Sequence, residues 1–112
     1  MLRKALAPLA KRITLAFIYG SIASGKETAR SDVDLMLIGD LKFEDAIHAL
    51  ASAEQSLRRE INPHVYGLRE FRAKLASKEP YLLRVLDGPK ILLSGDLDDI
   101  AKPGRHRPAK AA

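Results

Sequence analysis

Cysteine is absent from this sequence, and so is any long apolar run. Without cysteine the chain can form neither a disulfide framework nor a zinc or iron–sulfur site with thiolate ligands. Such a composition is typical of proteins in a reducing compartment, so we expect a cytoplasmic location. No stretch reaches the roughly 18 apolar residues of a membrane span, and we see no signal peptide in the opening "MLRKALAPLAKR". We therefore expect no membrane partner.

Acidic residues are missing from residues 102–112, which hold four of the chain's 19 lysines and arginines. The rest of the chain therefore has a net charge of +1 instead of the +5 of the whole sequence. A tail rich in proline, alanine and charge has little to bury, so we expect residues 102–112 to be disordered. Residues 1–101 form one domain in this prediction, and nucleic acid is not an expected partner.

Hydrophobic patterning predicts alternating strands and helices. The predicted strands are Ile13–Tyr19, Asp32–Ile38, Glu60–Tyr66 and Pro89–Gly95, and the predicted helices are Leu2–Leu9, Phe43–Arg59, Leu68–Lys78 and Pro80–Leu86. Because Pro63 cannot donate to a strand ladder, we expect the third strand at an edge or in an irregular pairing. This order of elements predicts an α/β (α+β) fold, a mixed and mainly four-stranded sheet with helices packed on it.

Two polar motifs interrupt this pattern around the second predicted strand. Gly20 ends the buried run "ITLAFIY", and Ser21 follows it as the expected cap of a short helical turn that Gly25 ends. Asp32 and Asp34 are two residues apart, so on a strand they point to the same side, about 6–7 Å apart along the backbone. Carboxylates without histidine or cysteine partners suit Mg²⁺, and a glycine turn followed by free backbone N–H groups suits phosphate. Together they predict a site for a metal-bound nucleoside triphosphate; the alternative is a solvated turn and strand edge.

The stretch "GSIASGKETARSDVDLML" resembles the nucleotidyltransferase superfamily with the DNA polymerase β-like fold. The family pattern is Gly-Ser, about ten residues, then Asp-x-Asp, and here residues 22–31 separate the two motifs. The context is similar to the minimal, single-domain branch of the family. The resemblance implies that Asp32 and Asp34 bind the metal, with two Mg²⁺ ions expected, and that Gly20 and Ser21 hold the triphosphate. It also implies an enzyme that transfers a nucleoside monophosphate, most simply from ATP, to an acceptor hydroxyl.

Members of the family also use a third carboxylate on a following strand, as metal ligand and often as base. Glu60 is the only carboxylate of the third predicted strand, and we predict that it fills this catalytic position. Asn62 shares its face of the strand and is the alternative. If Asn62 occupies the position, the chain has lost a ligand and catalysis would be impaired.

The resemblance also bears on partners. Small members of the family often pair with a short helical protein in toxin–antitoxin modules, which makes such a protein the expected acceptor. The alternative function is a catalytically impaired module of the same fold that binds nucleotide or protein. An exposed strand edge or apolar patch would also allow a homodimer.

Overall fold

The fold is a four-stranded sheet covered by helices on both faces. A computed structural model describes residues 2–26, 28 and 31–96, and the predicted tail at 102–112 lies outside these residues. The helices are α1 (Leu2–Leu6), a 3₁₀ helix (Ala7–Arg12), α2 (Gly20–Ser24), α3 (Phe43–Leu57), α4 (Leu68–Ala76) and α5 (Pro80–Asp87). The strands are β1 (Ile13–Tyr19), β2 (Val33–Gly39), β3 (Ile61–Tyr66) and β4 (Ile91–Ser94).

The sheet is mixed, as the sequence predicts. Its strand order is β3-β2-β1-β4, with β2 and β4 antiparallel to β1 and β3 parallel to β2. The edge position predicted for the strand containing Pro63 is confirmed, because β3 has β2 as its one neighbour. On an edge strand the nitrogen of proline, which has no N–H to donate, can face away from the partner strand, so that no hydrogen bond of the ladder is lost.

Alternation along β2 divides the core into two layers. Val33, Leu35 and Leu37 pack with α1 and α3 on one face, while Met36 and Ile38 pack with α4 and α5 on the other. The strand β1 is buried on both faces because it lies between two strands and under both helical layers. Asp34 has the parity of Met36, so it lies on the same face as α4 and α5, where it is half-buried.

The predicted boundaries differ from the observed ones at element ends. The first helix becomes 3₁₀ at Ala7, because proline follows at the first turn of the new helix and cannot donate to an α-helical ladder. Helix α3 ends at Leu57, and the next residue, Arg58, adopts a left-handed conformation with φ of 57°. Strands β2 and β3 each begin one residue later than predicted. Within the described residues, no helix combines the length and the apolar character needed to cross a membrane.

Candidate active site

Three strand ends meet at one end of the sheet. The end of β1 lies beside the start of β2, since the two strands are antiparallel, and Tyr19 is the partner of Asp34 in their register. The start of β3 lies on the other side of β2, since that pair is parallel, and there Asn62 is the partner of Asp34. The topology thus places Asp34 between Tyr19 and Asn62, with Gly20 directly after β1.

Gly20 lies against the side chain of Asp34 on the adjacent strand, which favours glycine at this position. Its φ is +77°, and a Cβ atom built on it would lie 2.3 Å from Oδ2 of Asp34. A Cβ there would displace the Asp34 carboxylate and the positive φ would add strain, so glycine is what lets the backbone of the turn approach the carboxylate where it lies. The predicted glycine turn and the predicted carboxylate pair are therefore parts of one site.

The short helix α2 differs from the prediction at its start. It begins at Gly20, with Tyr19 as the N-terminal flanking residue and no side-chain cap, so Ser21 lies inside its first turn and is not its cap. Its end agrees with the prediction, because Gly25 adopts φ of +77° and donates its N–H to the carbonyl of Ile22. The carbonyl of Ser21 accepts hydrogen bonds from the Ser24 hydroxyl and the Lys26 N–H, and the role of Ser21 in holding a phosphate stays a prediction.

Asp32 lies one residue before β2 and is exposed, whereas Asp34 is half-buried. The side-chain amide of Asn62 donates a hydrogen bond of 3.2 Å to Oδ2 of Asp32. This contact joins the loop before β2 to the start of β3. The structure therefore brings Asn62 to the pair of aspartates.

Glu60 lies just before β3, and its backbone carbonyl accepts a hydrogen bond of 2.8 Å from the N–H of Val33. Its side chain lines a shallow hollow together with Glu54, Gln55 and Arg58 at the end of α3. Within residues 2–26, 28 and 31–96, no three acidic or histidine side chains gather closely enough to hold a metal ion. The structure thus does not assemble the expected triad of Asp32, Asp34 and Glu60, and the role of Glu60 stays a prediction.

An aromatic cluster borders the site on the face of α5. The rings of Tyr19, His64 and Tyr81 have centroids 5.8 to 6.5 Å apart, and the hydroxyls of Tyr19 and Tyr81 are hydrogen-bonded. Burial, and secondarily this hydrogen bond, raises the pKa of Tyr19 far above its ordinary value. Tyr19 therefore keeps its proton at physiological pH and cannot act as a base.

Sequence reasoning missed Tyr81. It lies on α5, 62 residues from Tyr19, and no local pattern connects the two. Together with Gly20, Ser24 and Arg84 the two tyrosines line a hollow of about 390 Å³ beside the glycine turn. His64 carried a weak signal, because it is two residues from Asn62 and so shares its face of β3.

The donor set of the site suits Mg²⁺. Mg²⁺ takes oxygen ligands, and proteins commonly hold it with one or two carboxylates while substrate phosphates and water complete its shell. Asp32 and Asp34 supply two carboxylates, and the glycine of the turn lies next to the carboxylate of Asp34. The residues present therefore fit a metal ion that arrives with a phosphorylated substrate.

Fold and site together define a nucleotidyltransferase. The family model for the polymerase beta nucleotidyltransferases matches residues 4–73, which include Gly20, both aspartates and Asn62. The chain belongs to this family, as the resemblance in the sequence predicts. No curated protein sequence matches it significantly.

Solved structures confirm the fold. A toxin–antitoxin complex with AMP-PNP is 18% identical over 88% of this chain and 73% of that chain, with a TM-score of 0.61. A mutant of the toxin–antitoxin complex MntA–HpeT is 16% identical, covers the same shares and has a TM-score of 0.60. The complex of a tri-AMPylated HEPN toxin from Shewanella oneidensis with the MNT antitoxin is 16% identical over 88% and 70%, with a TM-score of 0.53. At these identities the likeness concerns the fold alone.

Proposed function

We propose that the protein transfers a nucleoside monophosphate from a nucleoside triphosphate, ATP, to an acceptor hydroxyl in the presence of Mg²⁺. The observation that carries this proposal is the contact between the two motifs: the backbone of Gly20 lies against the carboxylate of Asp34. A phosphate-binding turn and a metal-binding carboxylate in contact suit a ligand that carries both a phosphate chain and a metal ion.

Each residue of the site has a role in this proposal. Asp32 and Asp34 hold the Mg²⁺ ions, two in number, and Gly20 and Ser21 hold the triphosphate tail. The bound metal would stabilise charge on the attacking and leaving oxygens. The acceptor oxygen forms a bond to the α-phosphorus, the bond from that phosphorus to the oxygen bridging to the β-phosphate breaks, and pyrophosphate leaves.

The proton of the acceptor hydroxyl needs a destination. Glu60 would accept it in the arrangement that the sequence predicts. Asn62, which contacts Asp32 in the structure, cannot, because a side-chain amide is not basic and carries no charge for a metal. With Asn62 in the third position, the proton would leave to water.

We propose a small helical protein as the acceptor. Asp32 is exposed and the described site is built from few residues, so a second macromolecule can supply the rest of an acceptor pocket. Two of the similar structures are toxin–antitoxin complexes, one with AMP-PNP, and a third holds an AMPylated HEPN toxin with its MNT antitoxin. The first candidate for this partner is a small helical protein encoded by a neighbouring gene. We propose that both proteins act in the cytoplasm.

A second function is favoured by one observation, the hydrogen bond from Asn62 to Asp32. A site with two carboxylates and an amide can bind metal and nucleotide while lacking the base and the third charge. The domain would then be an impaired module that binds nucleotide or protein without transferring a nucleotide.

A transfer assay separates these two functions. The chain is incubated with its co-purified partner, Mg²⁺ and ATP labelled at the α-phosphorus, and the label on protein is followed beside the Asp34→Asn variant. Label on the partner that the variant abolishes supports the enzyme. Binding of labelled ATP without any transfer supports the impaired module, and label that Asp34→Asn leaves unchanged contradicts the proposed site.

A further inference from the structure

The loop before Asp32 is held by an arginine that lies just before the neighbouring strand β3. Arg59 lies between α3 and β3, and its Nη1 donates to the backbone carbonyls of Thr28 and Ser31, each at 2.9 Å. Arg59 is half-buried, and of its two charge-assisted bonds the one to Ser31 is partly buried while the one to Thr28 is exposed. Ser31 directly precedes Asp32, so the arginine holds the backbone on the N-terminal side of the carboxylate.

Neighbours of Arg59 hold the other sides of Asp32. The N–H of Val33 donates to the carbonyl of Glu60 at 2.8 Å, which fixes the backbone after the aspartate. The side chain of Asn62 donates to the carboxylate itself at 3.2 Å. Residues 59–62 thus contact the loop before Asp32, the strand after it and its side chain.

We infer that Arg59 is a positioning residue for the metal–nucleotide site, acting through the loop that carries Asp32. The inference rests on the proposed function, because it concerns the same carboxylate. Asp32 is exposed and lies outside β2, so the strand ladder alone does not order it. Without the bonds from Arg59, the Asp32 carboxylate would occupy the position in which it can bind a metal ion for a smaller fraction of the time. The apparent affinity of the site for Mg²⁺ would fall in proportion to that fraction.

The adjacent arginine provides a matched control. Arg58 has the same charge, is exposed, and its backbone N–H donates to the carbonyl of Glu54. Arg58 and Arg59 both line the hollow at the end of α3, but it is Arg59 that donates to the carbonyls of Thr28 and Ser31. A glutamine in place of Arg58 changes the net charge as much as one at Arg59 and leaves the two bonds from Arg59 to the loop in place.

The test uses two measurements on the full chain. The first is the Mg²⁺ concentration that gives half-saturation with AMP-PNP as the probe, and the second is the hydrogen exchange of the Val33 amide without nucleotide. For Arg59→Gln we expect the half-saturating Mg²⁺ concentration to rise about tenfold and the Val33 amide to exchange about tenfold faster. Each tenfold change corresponds to a free-energy difference of about 1.4 kcal/mol. For Arg59→Lys, which keeps a charged donor, we expect intermediate values. For Arg58→Gln both should stay within about twofold of the wild type.

Three results would overturn the inference: unchanged exchange in Arg59→Gln, faster exchange with unchanged Mg²⁺ dependence, or equal effects in Arg58→Gln. If Arg59→Gln does not fold, Arg59→Lys against Arg58→Gln decides by the same criteria. A wild type without Mg²⁺-dependent AMP-PNP binding would instead refute the proposed function, while the exchange of Val33 would still report whether Arg59 orders the loop.

Discussion

The contact between Asn62 and Asp32 makes the Asn62→Asp variant an informative perturbation. The amide now donates to a carboxylate oxygen 3.2 Å away. The variant replaces that donor with a second carboxylate, and Asp34 lies beside it in the strand register. The variant thus adds a third carboxylate to Asp32 and Asp34, as the family pattern expects. Without a metal ion these three carboxylates repel one another.

The size of the effect follows from Coulomb's law. Two unit charges 4 Å apart repel by about 1 kcal/mol in water and by about 4 kcal/mol at an effective dielectric constant of 20. Asp32 is exposed and Asn62 is half-buried, so the value should lie near the lower limit. We expect the free energy of unfolding to fall by about 1–2 kcal/mol in EDTA, and each kcal/mol lowers Tm by about 4–8 °C in a domain of this size.

Thermal unfolding with EDTA and with Mg²⁺ measures this effect. We expect Asn62→Asp to melt below the wild type in EDTA, and Mg²⁺ to raise its Tm by more than that of the wild type, because a cation relieves the repulsion. Gln55→Glu is the control, since it makes the same change of charge at an exposed position on α3. If Asn62→Asp melts like the control in EDTA, or if Mg²⁺ gives it no extra gain, then Asn62 does not face a metal site.

Two further predictions concern a glycine and a carboxylate. Gly20→Ala should abolish Mg²⁺-dependent nucleotide binding, measured by calorimetry, because its Cβ would meet Asp34. Gly25→Ala is the control for backbone strain, since Gly25 has the same φ of +77° but a Cβ there would have no atom within 4 Å. Equal losses of binding in both variants would contradict the clash as the cause. The backbone N–H of Lys42 holds the pKa of Asp45 below its ordinary value of 3.8, so this carboxylate stabilises the fold above that pH and loses its contribution as the pH falls through the lowered pKa. Asp45→Asn should therefore lower Tm at neutral pH, and its Tm should converge with that of the wild type as the pH falls through the lowered pKa of Asp45. A gap in Tm that does not narrow as the pH falls below 3.8 would refute this cause.

The glycine turn and the aspartate pair could be predicted because they depend on local structure. Strands β1 and β2 are consecutive in the chain and pair antiparallel, so the spacing between Gly20 and Asp32 directly encodes where the turn meets the second strand. Alternation along β2 then determines the face of Asp34. Short-range information is sufficient for this half of the site.

The third position could not be decided in the same way. Glu60 and Asn62 have the same parity, so alternation places both on one face. The register of β3 against β2 distinguishes them, and it depends on how α3, which connects the two strands, packs on the face of the sheet. Tyr81 escaped prediction for a related reason, because its contact with Tyr19 depends on the packing of α5 against the sheet.

The most direct test of the central claim is calorimetric titration of the purified chain with nucleoside triphosphates, with and without Mg²⁺. We predict binding of ATP that requires Mg²⁺, disappears in Asp34→Asn and persists in Asp40→Asn, a control at the opposite end of the same strand. No binding of any triphosphate at about 1 mM, a Kd equivalent to about −4 kcal/mol, would contradict the claim. Binding that ignores both Mg²⁺ and the loss of the Asp34 carboxylate would contradict it equally.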